Sequence, residues 1–238
     1  MENIKDVFYQ NYVSSGQAGY NGLYNLKSGK AFYFKYIIDK HIPSDREVRI
    51  VDIACGYGLF LKLLKQKKYN NIFGCELSVE QYSLAKKNGV EEIENIGLQE
   101  YLEKITKKDV FVFLDIIEHF DRLEAFRILA TAFEKTEING ILILHLPNAE
   151  GIFGGKIRYA DITHEMSYTK ESISQLLNII GYKNIKVYED KPIVHNLKSL
   201  VRRIFWDLLT FPYRLLAMSE TGSFKNPLSA CFLVIAKK

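Results

Sequence analysis

Val48-Arg49-Ile50-Val51-Asp52-Ile53-Ala54-Cys55-Gly56-Tyr57-Gly58 is the stretch that decides the fold. A short β-branched run ends in an acidic residue and two closely spaced glycines. Such a run suits a strand buried on both faces. Gly56 and Gly58 carry no Cβ, so the backbone can turn sharply there and approach a ligand closely. Leu59 to Lys68 then reads as a helix. Strand, glycine turn and helix together form the opening unit of a parallel sheet.

The same texture repeats downstream. Asn71 to Glu76 reads as a second strand and Val79 to Asn88 as a second helix. Val90 to Ile96 supplies a third strand. Asp109 to Leu114 supplies a fourth, apolar on both faces, and Arg122 to Glu134 a helix. Gly140 to Leu146 is a fifth strand ended by Pro147, and Lys170 to Ile180 is a helix closed by Gly181. Lys183 to Tyr188 and Ala230 to Ala236 are two late strands. The expected fold is α/β, a doubly wound, mostly parallel seven-stranded sheet. Such sheets bind ligands beyond the C-terminal ends of their strands, so chemistry is sought just after each strand.

Upstream, residues 1–30 are polar and aromatic, with Tyr9, Tyr12, Tyr20 and Tyr24, and read as an irregular cap with a short helix. Ala31 to His41 is a helix that stops before Pro43. The 238 residues are expected to form one domain: a cap over 1–45, a core over 46–190, a helical insertion over 191–228 and a last strand over 229–238.

Composition narrows the function classes. With 47% hydrophobic and 25% charged residues the chain is an ordinary globule. A net charge of +4 is too small to argue for nucleic acid, and no Asn/Asp-Pro-Pro-Tyr signature of base methylation is present. Cys55, Cys75 and Cys231 form neither a disulfide framework nor a zinc-ligand spacing. The N-terminus has no apolar signal segment and no run spans a membrane, so a cytoplasmic location is expected, peripheral to the inner membrane face at most.

A dinucleotide site would continue as G-x-G-x-x-G, but Leu61 occupies the third glycine position. That speaks against a nicotinamide-dependent oxidoreductase, one of two alternatives outside the leading class. The other is a non-catalytic cofactor-binding partner protein. Glu76, at the tip of the second strand, can accept hydrogen bonds from ribose hydroxyls or cap the next helix with Ser78.

Val51 to Gly58, Phe73-Gly74-Cys75-Glu76-Leu77-Ser78 and Asp109 to His119 together resemble the motifs of class I S-adenosylmethionine-dependent methyltransferases. The third segment is similar to that of sugar and ubiquinone-pathway O-methyltransferases. The resemblance runs from about Ile50 to Tyr188 and implies S-adenosylmethionine as cofactor, with S-adenosylhomocysteine as product. It implies that Gly56 and Gly58 lie against the methionine part and that Glu76 holds the ribose diol. Leu77, Leu98 and Gln99 would flank the adenine, and Asp115 and Ile116 would stand near the methionyl end. Asp52 would fix the loop. Ala54 stands where that family commonly has glycine.

Methyl transfer from a sulfonium is a direct displacement, so the protein mainly aligns the nucleophile, and an alcohol also needs a base. His164, in a loop resembling the Asp-x-x-His of related enzymes, is the expected general base, with His119 as runner-up. His145 is expected to be packed within its strand, and His41 and His195 to be solvated. Asp115, Glu118 and His119 are the candidate metal ligands, although a metal-free site is expected. Gly151 to Tyr159 reads as a mobile loop whose Lys156 and Arg158 could meet an acceptor phosphate or carboxylate.

Ile193 to Leu216 carries an apolar stripe with basic flanks and reads as an amphipathic helix ended before Pro212. It suits a lid or homodimer helix, or peripheral membrane contact through 193–211. The expected partner is a small-molecule acceptor and not nucleic acid. The expected reaction is O-methylation of a sugar or nucleotide-activated sugar in surface-polysaccharide biosynthesis, with a quinone or phenolic lipid precursor as the alternative.

Overall fold

The computed structural model describes residues 4–16 and 25–238. Tyr20 and Tyr24 of the expected cap lie outside the described residues. The first helices are α1 (Ile4–Gln10) and α2 (Gly29–His41), and the core begins with β1 (Ile50–Ile53) and α3 (Leu59–Gln66). It continues through β2 (Ile72–Glu76), α4 (Val79–Lys87), β3 (Ile93–Asn95), α5 (Leu98–Lys104) and β4 (Lys108–Leu114). Then follow α6 (Arg122–Lys135), β5 (Thr136–Pro147), α7 (Gly154–Arg158), α8 (Lys170–Ile180), β6 (Lys183–Glu189), α9 (Leu197–Thr221) and β7 (Cys231–Lys237).

The seven strands lie in the order β3-β2-β1-β4-β5-β7-β6. β1 pairs in parallel with both β2 and β4, Val51 facing Phe73 on one side and Phe111 on the other. β7 alone runs antiparallel to its neighbours β5 and β6. The chain winds outward from β1 to β3, then returns to start β4 on the other side of β1. That reversal opens a crevice beyond the tips of β1 and β4.

Alternation along the central strands builds a core on each face. Val51, Ile53, Phe111 and Phe113 pack with Leu129, Ile173 and Leu177. Ile50, Val110 and Val112 pack on the other face with Phe34, Phe60 and Leu64. Each such buried side chain contributes about 1.5–3 kcal/mol, so this sheet is the rigid base of the site. Leu61, in place of a third glycine, belongs to the second core: a Cβ on Gly74 would come within 2.7 Å of its Cδ1. The first turn of α3 is thereby packed tightly on β2.

The structure departs from the sequence reading in four places. α9 starts at Leu197 and runs through Pro212 to Thr221. An internal proline normally costs about 3 kcal/mol by removing a donor and crowding the preceding turn. Here Pro212 lies on the exposed side, where water can satisfy the freed carbonyl, and Arg214 binds both Glu189 oxygens at 2.7 and 2.8 Å, pinning the next turn. Residues 98–104 form the helix α5, which carries too short an apolar pattern to be read locally. The third strand shortens to Ile93–Asn95.

Residues 151–159, expected as a loop, contain a short helix. Gly154 to Arg158 is helical, and the Asn148 side chain, buried, donates to Pro227 O (2.9 Å) and Ser229 O (2.8 Å) beneath it. A Cβ on Gly154 would lie 2.0 Å from Asn148 O, whereas one on Gly155 would meet nothing within 4 Å. Gly154→Ala is therefore expected to lower unfolding stability by about 1–3 kcal/mol in urea titrations. Gly155→Ala should leave stability unchanged or raise it by about 0.5–1 kcal/mol. Equal effects of the two would show that this turn is not clamped.

Candidate functional site

The tips of β1, β2 and β4 converge on a crevice of about 550 Å³, a size suited to a small-molecule ligand. Its wall includes Asp52, Ala54 and Gly56 after β1, Glu76 and Leu77 after β2, Leu98 and Gln99 at the start of α5, and Asp115, Ile116 and His119 after β4. Gly58 stands behind the wall as the N-cap of α3, with φ +78°. Its carbonyl accepts from Lys62 N at 2.9 Å.

Both strand tips at the reversal are backbone-strained: Ala54 has φ +54° and Asp115 φ +58°. A side chain in this left-handed region costs about 1–2 kcal/mol, which accounts for the preference for glycine at the Ala54 position. Gly56, at φ +58°, bears no Cβ; one placed there would come 2.9 Å from Gln81 Oε1, into the crevice wall.

Glu76 is buried. Its Oε2 accepts from Gly56 N at 2.8 Å and its Oε1 from Ser78 N at 2.7 Å. Burial raises its pKa, and the N–H groups of Ser78, Gly56 and Leu77 oppose that rise. One carboxylate therefore clamps the glycine turn and also helps start α4, whose N-cap is Ser78. Asp52 is buried too; burial lifts its pKa well above the usual range, against the pull of Lys30.

His145 was expected to be merely packed, but it is the partner of Asp115. Its Nδ1 bonds Asp115 Oδ1, and its Nε2 lies 3.4 Å from Asp190 Oδ2 at the end of β6. Burial alone would lower the His145 pKa, but the two carboxylates outweigh it and push it up to about 10. Asp115, raised by burial, is held below the usual carboxylate range by the charge and hydrogen bond of His145 and by Lys30, whose Nζ is 3.8 Å away. The Asp115 side chain is 41% exposed, open to the crevice and not enclosed in the core. The signal for this pair was the parallel pairing of β4 with β5, which sets Leu114 beside His145.

A second cluster stands at the 3-10 turn Ile117–His119. Thr163 donates its hydroxyl to Asp161 Oδ1 at 2.6 Å, leaving Thr163 Oγ1 to accept from His119 Nδ1 at 2.8 Å. That order places the His119 proton on Nδ1 and a lone pair on Nε2. Burial first, then the nearby His164, pull the His119 pKa down to about 4. His164 donates from Nδ1 to the Ile157 carbonyl at 3.1 Å, and its ring stands 4.6 Å from that of His119. Only His119 reaches the crevice wall; His164 stands one ring behind it.

Glu118, His119 and His164 can each offer one ligand atom, all within 4.8 Å of one another. This corrects the expected trio, because Asp115 is taken by His145 and His164 replaces it. Glu118 is 1% exposed, its Oε2 has no hydrogen-bond partner, and burial and Asp115 raise its pKa well above the usual range.

The N-terminal segment straps over the crevice. Lys5 donates to His119 O at 2.7 Å and pairs with Glu165 at 3.2 Å. Tyr12 donates to Asp161 Oδ2 at 3.2 Å, and the amides of Val13 and Ser14 donate to Glu80 Oε2 at 2.7 and 3.1 Å. Lys5, Tyr9, Tyr12 and Lys30 thus reach the wall, residues that no local motif marks. Lys156 and Arg158 do not; Arg158 donates to Glu165 O at 2.9 Å.

A family model described as a methyltransferase domain matches residues 24–187. No curated protein matches the sequence significantly. Among solved structures, a S-adenosylmethionine-dependent methyltransferase from Archaeoglobus fulgidus superposes with TM-score 0.65 at 19% identity, over 89% of this chain and 95% of that one. One from Thermotoga maritima gives 0.62 at 17% identity, over 99% and 100%. Magnesium protoporphyrin IX methyltransferase from Synechocystis, with bound S-adenosylmethionine, gives 0.57 at 13%, over 99% and 95%.

The His145–Asp115 pair should show in the pH dependence of stability. His145 is raised from 6.5 to about 10, so its contribution is complete below about pH 6.5 and is lost as pH rises toward 10. Asp115 is lowered from 3.8, so its share is lost only in acid. Replacing His145 by Gln is expected to cost about 1–3 kcal/mol near pH 6, less than for a fully enclosed pair because Asp115 opens to the crevice. The difference in urea unfolding should shrink steadily toward pH 10. A constant difference would mean that the charge of His145 is not the source.

Proposed function

Because the chain belongs to the methyltransferase-domain family, we propose that it methylates a hydroxyl group of a small molecule. S-adenosylmethionine is the cofactor; when bound it supplies a methyl group on a positively charged sulfur that a nucleophile can displace directly. The observation that carries the cofactor part of this reading is the buried Glu76 carboxylate at the tip of β2, beside a glycine turn whose missing Cβ keeps the wall open. The same geometry fits an adenosyl group. Glu76 can exchange an N–H partner for a ribose diol, Leu77 and Leu98 offer apolar faces to a base, and Gln99 offers an amide. Gly56 brings bare backbone against the remainder of the cofactor. Asp115, neutralised by His145, supports the methionyl end beside Ile116 without drawing the sulfonium into an ion pair.

His119 is the residue we place nearest the acceptor. Its Nδ1 proton is committed to Thr163, so Nε2 is free to receive the hydroxyl proton as the new C–O bond forms. Its low pKa keeps the ring neutral, and hence competent as a base, throughout neutral pH. His164, the residue favoured by sequence, orients and electrostatically depresses His119 from behind. A sugar or nucleotide-activated sugar is the acceptor we favour. The Tyr9 and Tyr12 rings can pack on a sugar face and the half-exposed Lys30 can meet an anionic group. This would suit a role in surface-polysaccharide synthesis.

Calorimetry with S-adenosylhomocysteine tests the cofactor site. The wild type should bind, and Glu76→Ala should weaken binding by about tenfold or more, the scale of a lost charge-assisted hydrogen-bond pair. Unchanged affinity in a folded Glu76→Ala protein would remove the assignment. A mass-spectrometric screen of sugars, activated sugars and phenols for the gain of one CH2 then identifies the acceptor. On that acceptor, His119→Ala should lower kcat by about a hundredfold or more while leaving S-adenosylhomocysteine affinity intact.

A second reading follows from the unpartnered Glu118 oxygen. Two imidazoles and one carboxylate suit a divalent transition ion, which would take the lone pairs of His119 and His164. Calorimetric titration of chelator-stripped protein with Mn2+ or Zn2+ should then show binding that Glu118→Gln weakens strongly. Equal binding by that variant, or none by the wild type, leaves His119 as a metal-free base.

A further inference from the structure

Helix α9 is built inside out. Ser199 and Thr210 are buried against the domain, and Arg203, Trp206 and Arg214 are half-buried on the same side. The opposite side is apolar and faces solvent: Leu197 is 75% exposed, Ile204 57%, Leu208 64%, Phe211 51% and Leu216 64%. At 100° per residue the apolar positions from Leu200 round to Leu209 span about half the helix circumference. Lys198 and Ser219 are the polar side chains within that arc, and no acidic residue falls inside it.

The polar side is held down by specific bonds. Arg214 binds Glu189 through two hydrogen bonds, and Asp207 is bound by Arg203 at 3.0 Å and Lys191 at 2.9 Å. These contacts fix which side faces outward, so the apolar face is not waiting to turn into the core. Beyond the Gly222 cap, Phe224 extends the surface, its ring 6.1 Å from that of Phe211.

We propose that α9 seats the protein on an anionic phospholipid surface, lying in the plane of the interface. Two features favour lipid over a second copy of the chain. A helix pair buries a narrow seam, whereas an arc of half the circumference fits immersion to the helix midline. The cations Lys198 and Arg202 line one rim near the start of the helix and outnumber Glu220 on the same rim, and the exposed Lys225 lies just beyond the helix end, a balance complementary to phosphate headgroups. Asp207, on the other rim, is already neutralised by Arg203 and Lys191. The helix departs from the same end of the sheet as the crevice: Asp190, after β6, contacts His145, and His195 stacks on Phe32 of α2 at 3.8 Å. Seating on α9 therefore brings the crevice close to the lipid.

The whole protein is mixed with phosphatidylglycerol-containing vesicles and, separately, with pure phosphatidylcholine vesicles. The inference requires co-sedimentation of the protein with the anionic vesicles, weakened by salt and by neutral lipid. Ile204→Glu combined with Leu208→Glu should reduce binding by about tenfold or more, since it places charge in the apolar arc. Lys198→Glu combined with Arg202→Glu should abolish the preference for anionic lipid. Both pairs lie on the solvent side and should unfold at the wild-type temperature. The proposal is overturned if wild-type protein stays in the supernatant with anionic vesicles, or if the Ile204/Leu208 variant binds them equally well. A dimer in light scattering that this variant dissociates, without vesicle binding by the wild type, would assign the face to a second copy instead.

Discussion

Burying carboxylates at one end of a parallel sheet is the constraint on which the site depends. Asp52, Glu76 and Glu118 are buried around the tips of β1, β2 and β4, where desolvation disfavours each charge, and Asp115 opens to the crevice beside them. Each is treated differently. Glu76 is met by backbone amides, Asp115 by a charged histidine and Asp52 by the distant field of Lys30. Glu118 keeps one oxygen without a partner. The carboxylate bound only to N–H groups can exchange them for a ligand. The ion-paired one is held in place, and Glu118 is left with an oxygen that no neighbour satisfies.

The second histidine cluster obeys the same logic on a smaller scale. Asp161 takes the Thr163 proton, Thr163 then accepts from His119, and Nε2 of His119 is left as an acceptor. Directionality is set two residues away from the crevice, in a loop whose amides at Glu165 and Met166 are tied to the carbonyl of Glu118 at 2.8 and 3.0 Å. Positioning in this protein is thus carried by bonds between loops, while the sheet beneath supplies rigidity. The N-terminal strap joins this network at Lys5 and Tyr12, so part of the crevice wall comes from a segment far from it in sequence.

Helix α9 shows why amphipathicity alone does not give an orientation. Its apolar stripe is plain in the sequence, and the usual reading would turn it toward the core. The polar anchors Glu189, Asp207 and Arg214 reverse that, and they are distributed over β6 and α9 with no local signature. Pro212 misleads for the same reason: its cost depends on which side of the helix it occupies, and that is fixed by the anchors.

The sequence by itself determined the strand-and-helix order, the glycine turn after β1, and the acids at the tips of β1, β2 and β4. These follow from short-range rules: periodicity of two or 3.6, glycine where the backbone must bend, and polarity at strand ends. Only the tertiary structure decided that His145 pairs with Asp115, that His119 and not His164 reaches the crevice, that Glu118 joins two histidines, and that α9 faces outward. Those outcomes depend on which side chains meet across strands and loops far apart in the chain. Desolvation and hydrogen-bond direction, which no local pattern encodes, then fix their charge and orientation.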